Sequence, residues 1–176
     1  MNQANDSLPI GVVIERREIE SRWADHSWRP VSIIPGAPPV AEWKEIRTGE
    51  GWVQFHAATL PLEIFGKETE GYRVNLANNP PVVYVVLRPG EEVEDNEVEP
   101  MLVTVCPFEA NSYEESGDEI VEGIPMPPDI LAWLQKFVDD NHVEEPFKKR
   151  KRKKAFDPRK GGGEMRPKPR APADGF

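Results

Sequence analysis

The chain has 176 residues, with 22 Lys+Arg, 31 Asp+Glu and one cysteine. This length fits one domain with flanking segments and excludes a large multidomain enzyme. One cysteine excludes an internal disulfide, and the sequence has neither an apolar run of about 18 residues nor a basic, apolar leader after Met1. We therefore expect a cytoplasmic protein with no transmembrane segment and no signal peptide.

Charge is distributed unevenly along the chain. Residues 1–147 hold 10 Lys+Arg and 28 Asp+Glu, whereas residues 148–176 hold 12 Lys+Arg and 3 Asp+Glu. The last segment has almost no apolar side chains whose burial could offset the entropy cost of ordering it. We predict a flexible N-terminus over residues 1–8, one acidic domain over 9–147 and a disordered basic tail over 148–176.

Apolar runs and alternation predict five strands in the first half of the domain, at residues 10–14, 31–34, 42–47, 52–57 and 60–65. The glycine-containing turn at 48–51 joins the third and fourth strands into a hairpin. Pro61 places the fifth strand toward a sheet edge, because proline cannot donate to the ladder.

The second half of the domain predicts further strands and three helical segments. Residues 67–77 and 107–115 favour short helices, and the strands are expected at 82–87, 101–106 and 120–124. Pro128 and Asp129 begin the clearest helix, since proline is tolerated and an acid is favoured in a first turn. Its apolar stripe consists of Ile130, Leu134, Phe137 and Val138, and it ends near Asn141.

These elements predict an α+β fold. The strands occur in runs and do not alternate with helices, which disfavours a parallel nucleotide-binding sheet. We expect a small, mainly antiparallel sheet of six to eight short strands, covered by the C-terminal amphipathic helix.

The sequence contains no pattern typical of catalysis. Its histidines and Cys106 lack metal-ligand spacing, and no phosphate-binding loop or nucleophile elbow occurs. Cys106 follows an apolar run and has the acidic Glu109 nearby, so we expect a buried core thiol and not a reactive one. We predict no catalytic residue, no metal site and no cofactor.

A segment rich in tryptophan and arginine is the best candidate for binding a protein partner. It contains Arg22, Trp23, Trp28 and Arg29, and Trp and Arg are typical anchor residues of protein interfaces. The alternative interpretation is structural: both indoles would cap the sheet, and both arginines would offset neighbouring acids.

The basic tail opens with seven consecutive cations: Lys148, Lys149, Arg150, Lys151, Arg152, Lys153 and Lys154. Three interpretations remain open: a solvated segment, attraction to nucleic acid or an anionic membrane, and docking onto an acidic protein surface, including that of its own domain. The acidic domain would repel nucleic acid, which makes a dedicated nucleic-acid protein the less favoured of these.

Several stretches resemble one uncharacterised family. They are IGVVIERR at 10–17, WRPVSIIPG at 28–36, FHAATLPLE at 55–63 and PVVYVVLR at 81–88. The likeness extends over residues 9–152. The family is a proteobacterial domain of unknown function, and its genes often lie beside those of molybdenum-dependent formate dehydrogenases and their maturation factors.

The resemblance implies a non-catalytic accessory or assembly protein associated with a formate dehydrogenase subunit or maturation factor. One alternative is an enzyme or carrier in molybdopterin handling, with a pocket near His56, Arg73 and Cys106. The glycine-rich loop of such nucleotidyltransferases is missing from residues 12–20, which argues against this alternative. A second alternative is association with nucleic acid or an anionic surface through the basic tail.

Overall fold

The computed structural model describes residues 4–90 and 97–144. Within them, seven strands form two antiparallel sheets with orders β2-β1-β4-β3 and β6-β5-β7, accompanied by three α-helices. The elements are β1 Asn5–Glu18, β2 His26–Pro35, β3 Lys44–Gly49, β4 Trp52–Phe65, α1 Thr69–Leu76, β5 Val82–Pro89, β6 Val98–Thr104, α2 Pro107–Ser116, β7 Ile120–Pro125 and α3 Pro128–Asn141. The chain divides into a compact unit Met1–Val143 and a second unit Glu144–Phe176.

The α+β class and the antiparallel pairing are confirmed, but the predicted single sheet is wrong. The predicted hairpin is β3–β4, and the run at 82–87 is the central strand of the second sheet. The chain passes to that sheet after β4, where a single 3-10 turn, Gly66–Glu68, leads into α1. Pattern analysis finds strands but not their grouping, because the pattern within one strand does not show which other strand it pairs with.

β4 is one continuous strand where the sequence predicted two. Its apolar positions change parity along the strand, from Val53 and Phe55 to Leu60 and Leu62. The register explains this change: Val12 pairs with Ala58 and Val13 with His56, so one extra residue bulges between them. Such a bulge moves the core-facing set by one position without ending the strand. The break in alternation marks a bulge and not a turn.

The first strand begins inside the segment 1–8 that was expected to be flexible. Residues 5–8 pair with residues 62–65 of β4, and Trp133 Nε1 of α3 donates to Asp6 Oδ2 at 2.9 Å. Further along, Pro9 lies opposite Pro61. β3 pairs with β4 only along residues 52–56. Pro61 therefore lies on a part of β4 that has no β3 residue beside it, and a proline is tolerated at such an edge because it has no N–H to donate.

One hydrophobic core joins the two sheets and α3. From the first sheet it receives Ile10, Val12 and Ile14, and from α3 the predicted stripe Ile130, Leu134, Phe137 and Val138, all buried. Burying a side chain of this size contributes about 1.5–3 kcal/mol. The core therefore lies on one face of the first sheet. We call the opposite face of this sheet the outer face.

α1 is held to the second sheet by a buried amide. Asn75 Nδ2 donates to the carbonyl oxygens of Val82 at 2.7 Å and Val105 at 2.8 Å, and its Oδ1 accepts from the Val82 N–H at 3.0 Å. Asn75 is fully buried. All its polar atoms are thus engaged in joining a helix to two strand termini.

The predicted basic tail, residues 148–176, lies entirely outside the described residues. The strand predicted at 101–106 begins earlier than expected, since β6 spans Val98–Thr104. Among the described residues, no helix is both long and apolar enough to cross a membrane.

Candidate functional site

Trp23 stands in solvent on an ordered turn between β1 and β2. The Ile19 N–H donates to the Asp25 carbonyl at 3.1 Å, and the Trp23 N–H donates to Ser21 Oγ at 3.2 Å. Trp23 is 93 % exposed, and Arg22 beside it is exposed too. We call residues 19–25 the Trp23 loop. Two hydrogen bonds restrain parts of its backbone, while its indole has almost no contact with the protein.

Trp28 has a different environment, on the core-facing side of β2. Its Nε1 donates to Glu97 Oε2 at 2.6 Å, and its ring meets that of Trp43 edge-on at 5.7 Å. The Arg16 guanidinium lies 5.9 Å from the Trp28 ring and 5.5 Å from the Phe55 ring. Trp28 therefore caps the core, as the structural interpretation expected of both tryptophans, whereas Trp23 does not.

Arg29 lies on the opposite, outer face of the first sheet, because neighbouring strand residues point to opposite sides. Cross-strand pairing links Arg29 to Glu15, Glu15 to Gln54, and Gln54 to Arg47, one residue from each of the four strands. Arg17 follows in the next row beside this line. We call Arg17, Arg29 and Arg47, around the Glu15–Gln54 pair, the arginine face.

Glu15 is the carboxylate within the arginine face, and it is only 7 % exposed. Its Oε1 accepts from Arg17 Nε and Nη2, both at 2.9 Å, and its Oε2 accepts from Gln54 Nε2 at 3.1 Å. Burial alone would raise the pKa of this carboxyl. The hydrogen bonds from Gln54 and Arg17 and the charges of Arg17 and Arg29 outweigh burial and hold the pKa below its ordinary value.

The far half of the outer face is covered by the chain that crosses from β2 to β3. Ala37 packs on Gly11 so closely that a Cβ there would lie 2.8 Å from the alanine Cβ. Thr59 Oγ1 donates its one proton to the Pro38 carbonyl at 2.7 Å, so at the 3.0 Å contact it accepts from His56 Nε2. His56 thus helps to hold the connection between β2 and β3 on the outer face. The arginine face lies outside the part that this connection covers.

The residues named for a molybdopterin pocket have different neighbours. His56 contacts Thr59, as described, whereas Arg73 Nη1 on α1 donates to His142 Nε2 at 2.7 Å. Cys106 is buried as predicted, beneath Gly71, where a Cβ would lie 2.9 Å from its Sγ. Among the described residues, no group of three or more His, Cys, Asp or Glu side chains could hold a metal ion.

A shallow pocket of about 160 Å³ lies at the start of β1 and the end of β4. Its lining is Asn5, Asp6, Ser7, Glu63 and Phe65. It lies at the opposite end of β1 from the Trp23 loop. The carboxylates of Asp6 and Glu63 line the pocket. The lining includes none of the residues that the sequence analysis singled out.

The structure thus separates the four predicted partner-binding residues. Arg22 and Trp23 are exposed in the loop, Arg29 belongs to the arginine face, and Trp28 supports the core. Arg17 and Arg47 were missed by the sequence analysis. The alternation of β1 indicates the face of the sheet on which Arg17 lies. The bulge at Ile46 interrupts the alternation of β3, so the sequence does not indicate the face on which Arg47 lies.

Comparison with known proteins assigns the chain to a family. No curated protein and no solved structure matches it significantly. A family model described as a protein of unknown function (DUF3305) matches residues 9–151, which is most of the chain. The chain therefore belongs to the DUF3305 family of proteins of unknown function.

Proposed function

We propose that this chain is a non-catalytic accessory protein of the cytoplasm that binds a protein partner through the Trp23 loop. The observation that carries the proposal is a 93 % exposed indole on a turn fixed by two hydrogen bonds. A tryptophan with so few contacts contributes little to folding, and tryptophan is among the commonest hot-spot residues of interfaces. The two hydrogen bonds within the loop reduce the backbone entropy that is lost upon binding.

The roles within the segment differ in this proposal. Arg22, Trp23 and Arg29 contact the partner, and Trp28 positions the strand from which the loop emerges. The cations at 148–154 add electrostatic attraction that weakens as salt is added. An exposed Trp beside arginines supports this division, since these are the residue types enriched at interface anchors.

The proposed partner is a subunit or maturation factor of a molybdenum-dependent formate dehydrogenase. This part rests on the sequence resemblance to a proteobacterial family whose genes often neighbour those of such enzymes. The match to the DUF3305 model supports the part of this resemblance that concerns an uncharacterised family.

The test is affinity capture of the full-length chain from its native host, with Trp23→Ala compared with Phe108→Ala. Phe108 is 58 % exposed on α2 and serves as a matched surface aromatic. Loss of a hot spot of about 2 kcal/mol weakens binding about 30-fold, so Trp23→Ala should lose the partner while Phe108→Ala retains it. Undiminished capture by Trp23→Ala would refute the role of the loop.

The tail is tested separately by removing residues 148–176. We expect the remaining complex to become less sensitive to salt, because the seven cations no longer contribute. If the shortened chain instead loses a bound nucleic acid and no protein, the alternative of nucleic-acid association replaces this proposal.

A further inference from the structure

The arginine face is arranged in rows that cross the whole first sheet. The middle row is Arg47–Gln54–Glu15–Arg29, and the adjacent row toward the Trp23 loop pairs Trp52 with Arg17. On the other side, Lys44 pairs with His56. Cross-strand partners share one face of a sheet. These rows therefore bring four cations to one side, with Glu15 as their one carboxylate.

This concentration of positive charge contrasts with the rest of the protein. Residues 1–147 contain only 10 Lys+Arg, and four of them lie in these rows. Residues 107–144 contain one lysine, Lys136, and ten Asp+Glu. The outer face of the first sheet is thus a local cationic surface on an acidic body.

The two outer arginines make no direct contact with the carboxylate of these rows. Glu15 is already engaged by Arg17 and Gln54. Arg29 and Arg47 are exposed, and neither forms an ion pair with another residue in the described ranges. Glu15 instead binds Arg17, on a strand that lies between theirs. The guanidinium groups of Arg29 and Arg47, at the two ends of the middle row, are therefore available to bind a ligand.

We infer that the arginine face binds an acidic segment of the partner protein, in continuity with the Trp23 loop. This inference rests on the proposed adaptor role and adds the chemistry of the partner. Arg29 and Arg47 lie three strand spacings apart, about 14 Å. An extended segment rises about 3.3 Å per residue, so carboxylates four or five residues apart reach both arginines.

A short acidic peptide fits this face better than a nucleic acid. Residues 1–147 hold 28 Asp+Glu against 10 Lys+Arg, so positive charge on this body is limited to these few rows. A phosphate backbone carries a charge at every nucleotide and gains most from a longer cationic track. An extended acidic segment of about five residues already spans the distance between Arg29 and Arg47.

The test measures binding of a fluorescein-labelled octaglutamate peptide to the purified full-length chain. The variant R29E/R47E is compared with K67E/K136E, which reverses two exposed cations elsewhere. Both variants have the same net charge and an intact basic tail, so a difference between them reports the face alone. We expect R29E/R47E to bind about tenfold more weakly than K67E/K136E.

Amide NMR spectra locate the bound peptide. We expect shifts at Arg29, Arg47 and Gln54 that vanish in R29E/R47E, with R29Q/R47Q used in its place if the reversal variant unfolds. Equal affinity of the two reversal variants, or shifts confined to the tail, would overturn the inference. So would tighter binding of the same face to a ten-residue thymidine oligonucleotide.

The peptide measurement needs no natural partner, so its outcome is independent of the capture experiment. If R29E/R47E binds octaglutamate like its control while Trp23→Ala still loses the partner, the inference fails and the adaptor proposal stands. If peptide binding depends on Arg29 and Arg47 but Trp23→Ala captures the partner normally, the role of the loop fails and the acidic-segment site stands.

Discussion

Glu15 shows how one buried carboxylate organises a cationic surface. Without it, Arg17 would lose the acceptor that fixes its guanidinium, and the Gln54 amide would lose its partner. Buried carboxylates persist only where donors and opposite charge offset their desolvation, and here both come from neighbouring strands. Glu15 therefore links the stability of the first sheet to the geometry of the arginine face.

This arrangement predicts a pH dependence of stability. The folded pKa of Glu15 lies below its ordinary value of 4.5, so its ionised form stabilises the fold above about pH 4.5, and the contribution is lost as pH falls through the lowered pKa. Glu15→Gln should lose less unfolding free energy than the wild type between pH 6 and pH 3, measured by urea denaturation. Parallel curves for wild type and Glu15→Gln would contradict this account.

Asn75 makes the second residue-scale prediction. Replacing it with Ala leaves two buried carbonyls and one N–H without their partner. Unsatisfied buried groups cost about 1–3 kcal/mol each, partly relieved by relaxation, so we expect a loss of about 3 kcal/mol in unfolding free energy. The exposed Asn78, where substitution should cost under about 0.5 kcal/mol, is the control. A loss below about 1 kcal/mol for Asn75→Ala would show that α1 is held by other contacts.

At the scale of elements, sequence patterning identified the strands and α3 but misjudged continuity. The continuous apolar run at 82–87 located the central strand of the second sheet, and apolar residues at helical spacing located the buried stripe on α3. Alternation divided β4 at its bulge, since the extra residue reverses parity in the way a turn would. Asn75 had no signal at all, because its partners are backbone atoms 7 and 30 positions away.

The residues of the candidate site were identified only in part, because sequence patterning does not show which element holds each side chain. Composition drew attention to residues 22–29, but it treated the two tryptophans as equivalent. The structure distinguishes them by element: Trp28 belongs to a strand and points into an aromatic cluster, whereas Trp23 belongs to a turn. Arg47 lies far away in sequence and joins the site only through sheet pairing.

This distinction predicts unequal effects of the two substitutions on stability. Trp28→Ala removes the bond to Glu97 and the contacts with Trp43 and Arg16, and we expect a loss of about 3 kcal/mol. Trp23→Ala should change the unfolding free energy by less than about 0.5 kcal/mol. Thermal and urea unfolding of the two variants would check this. Comparable destabilisation by both would mean that the indole of Trp23 packs on the fold in solution.

For the whole molecule, opposite charges are segregated into separate regions. An acidic body carries a local arginine face, and a basic segment follows it in sequence. Segregated charge favours specific orientation during association and makes the association rate sensitive to salt. We expect the rate constant for partner association to fall between 50 and 300 mM salt, and the dissociation rate to change less. A salt-independent association rate would contradict an electrostatic contribution.

The central claim is that a protein partner contacts the Trp23 loop directly. Its most direct test places the photoreactive amino acid p-benzoylphenylalanine at position 23 of the full-length chain in the native host, with position 108 as the control. Illumination should join position 23 to one protein, identified by mass spectrometry, and leave position 108 without that product. No protein product at position 23 above the level at position 108 would contradict the account.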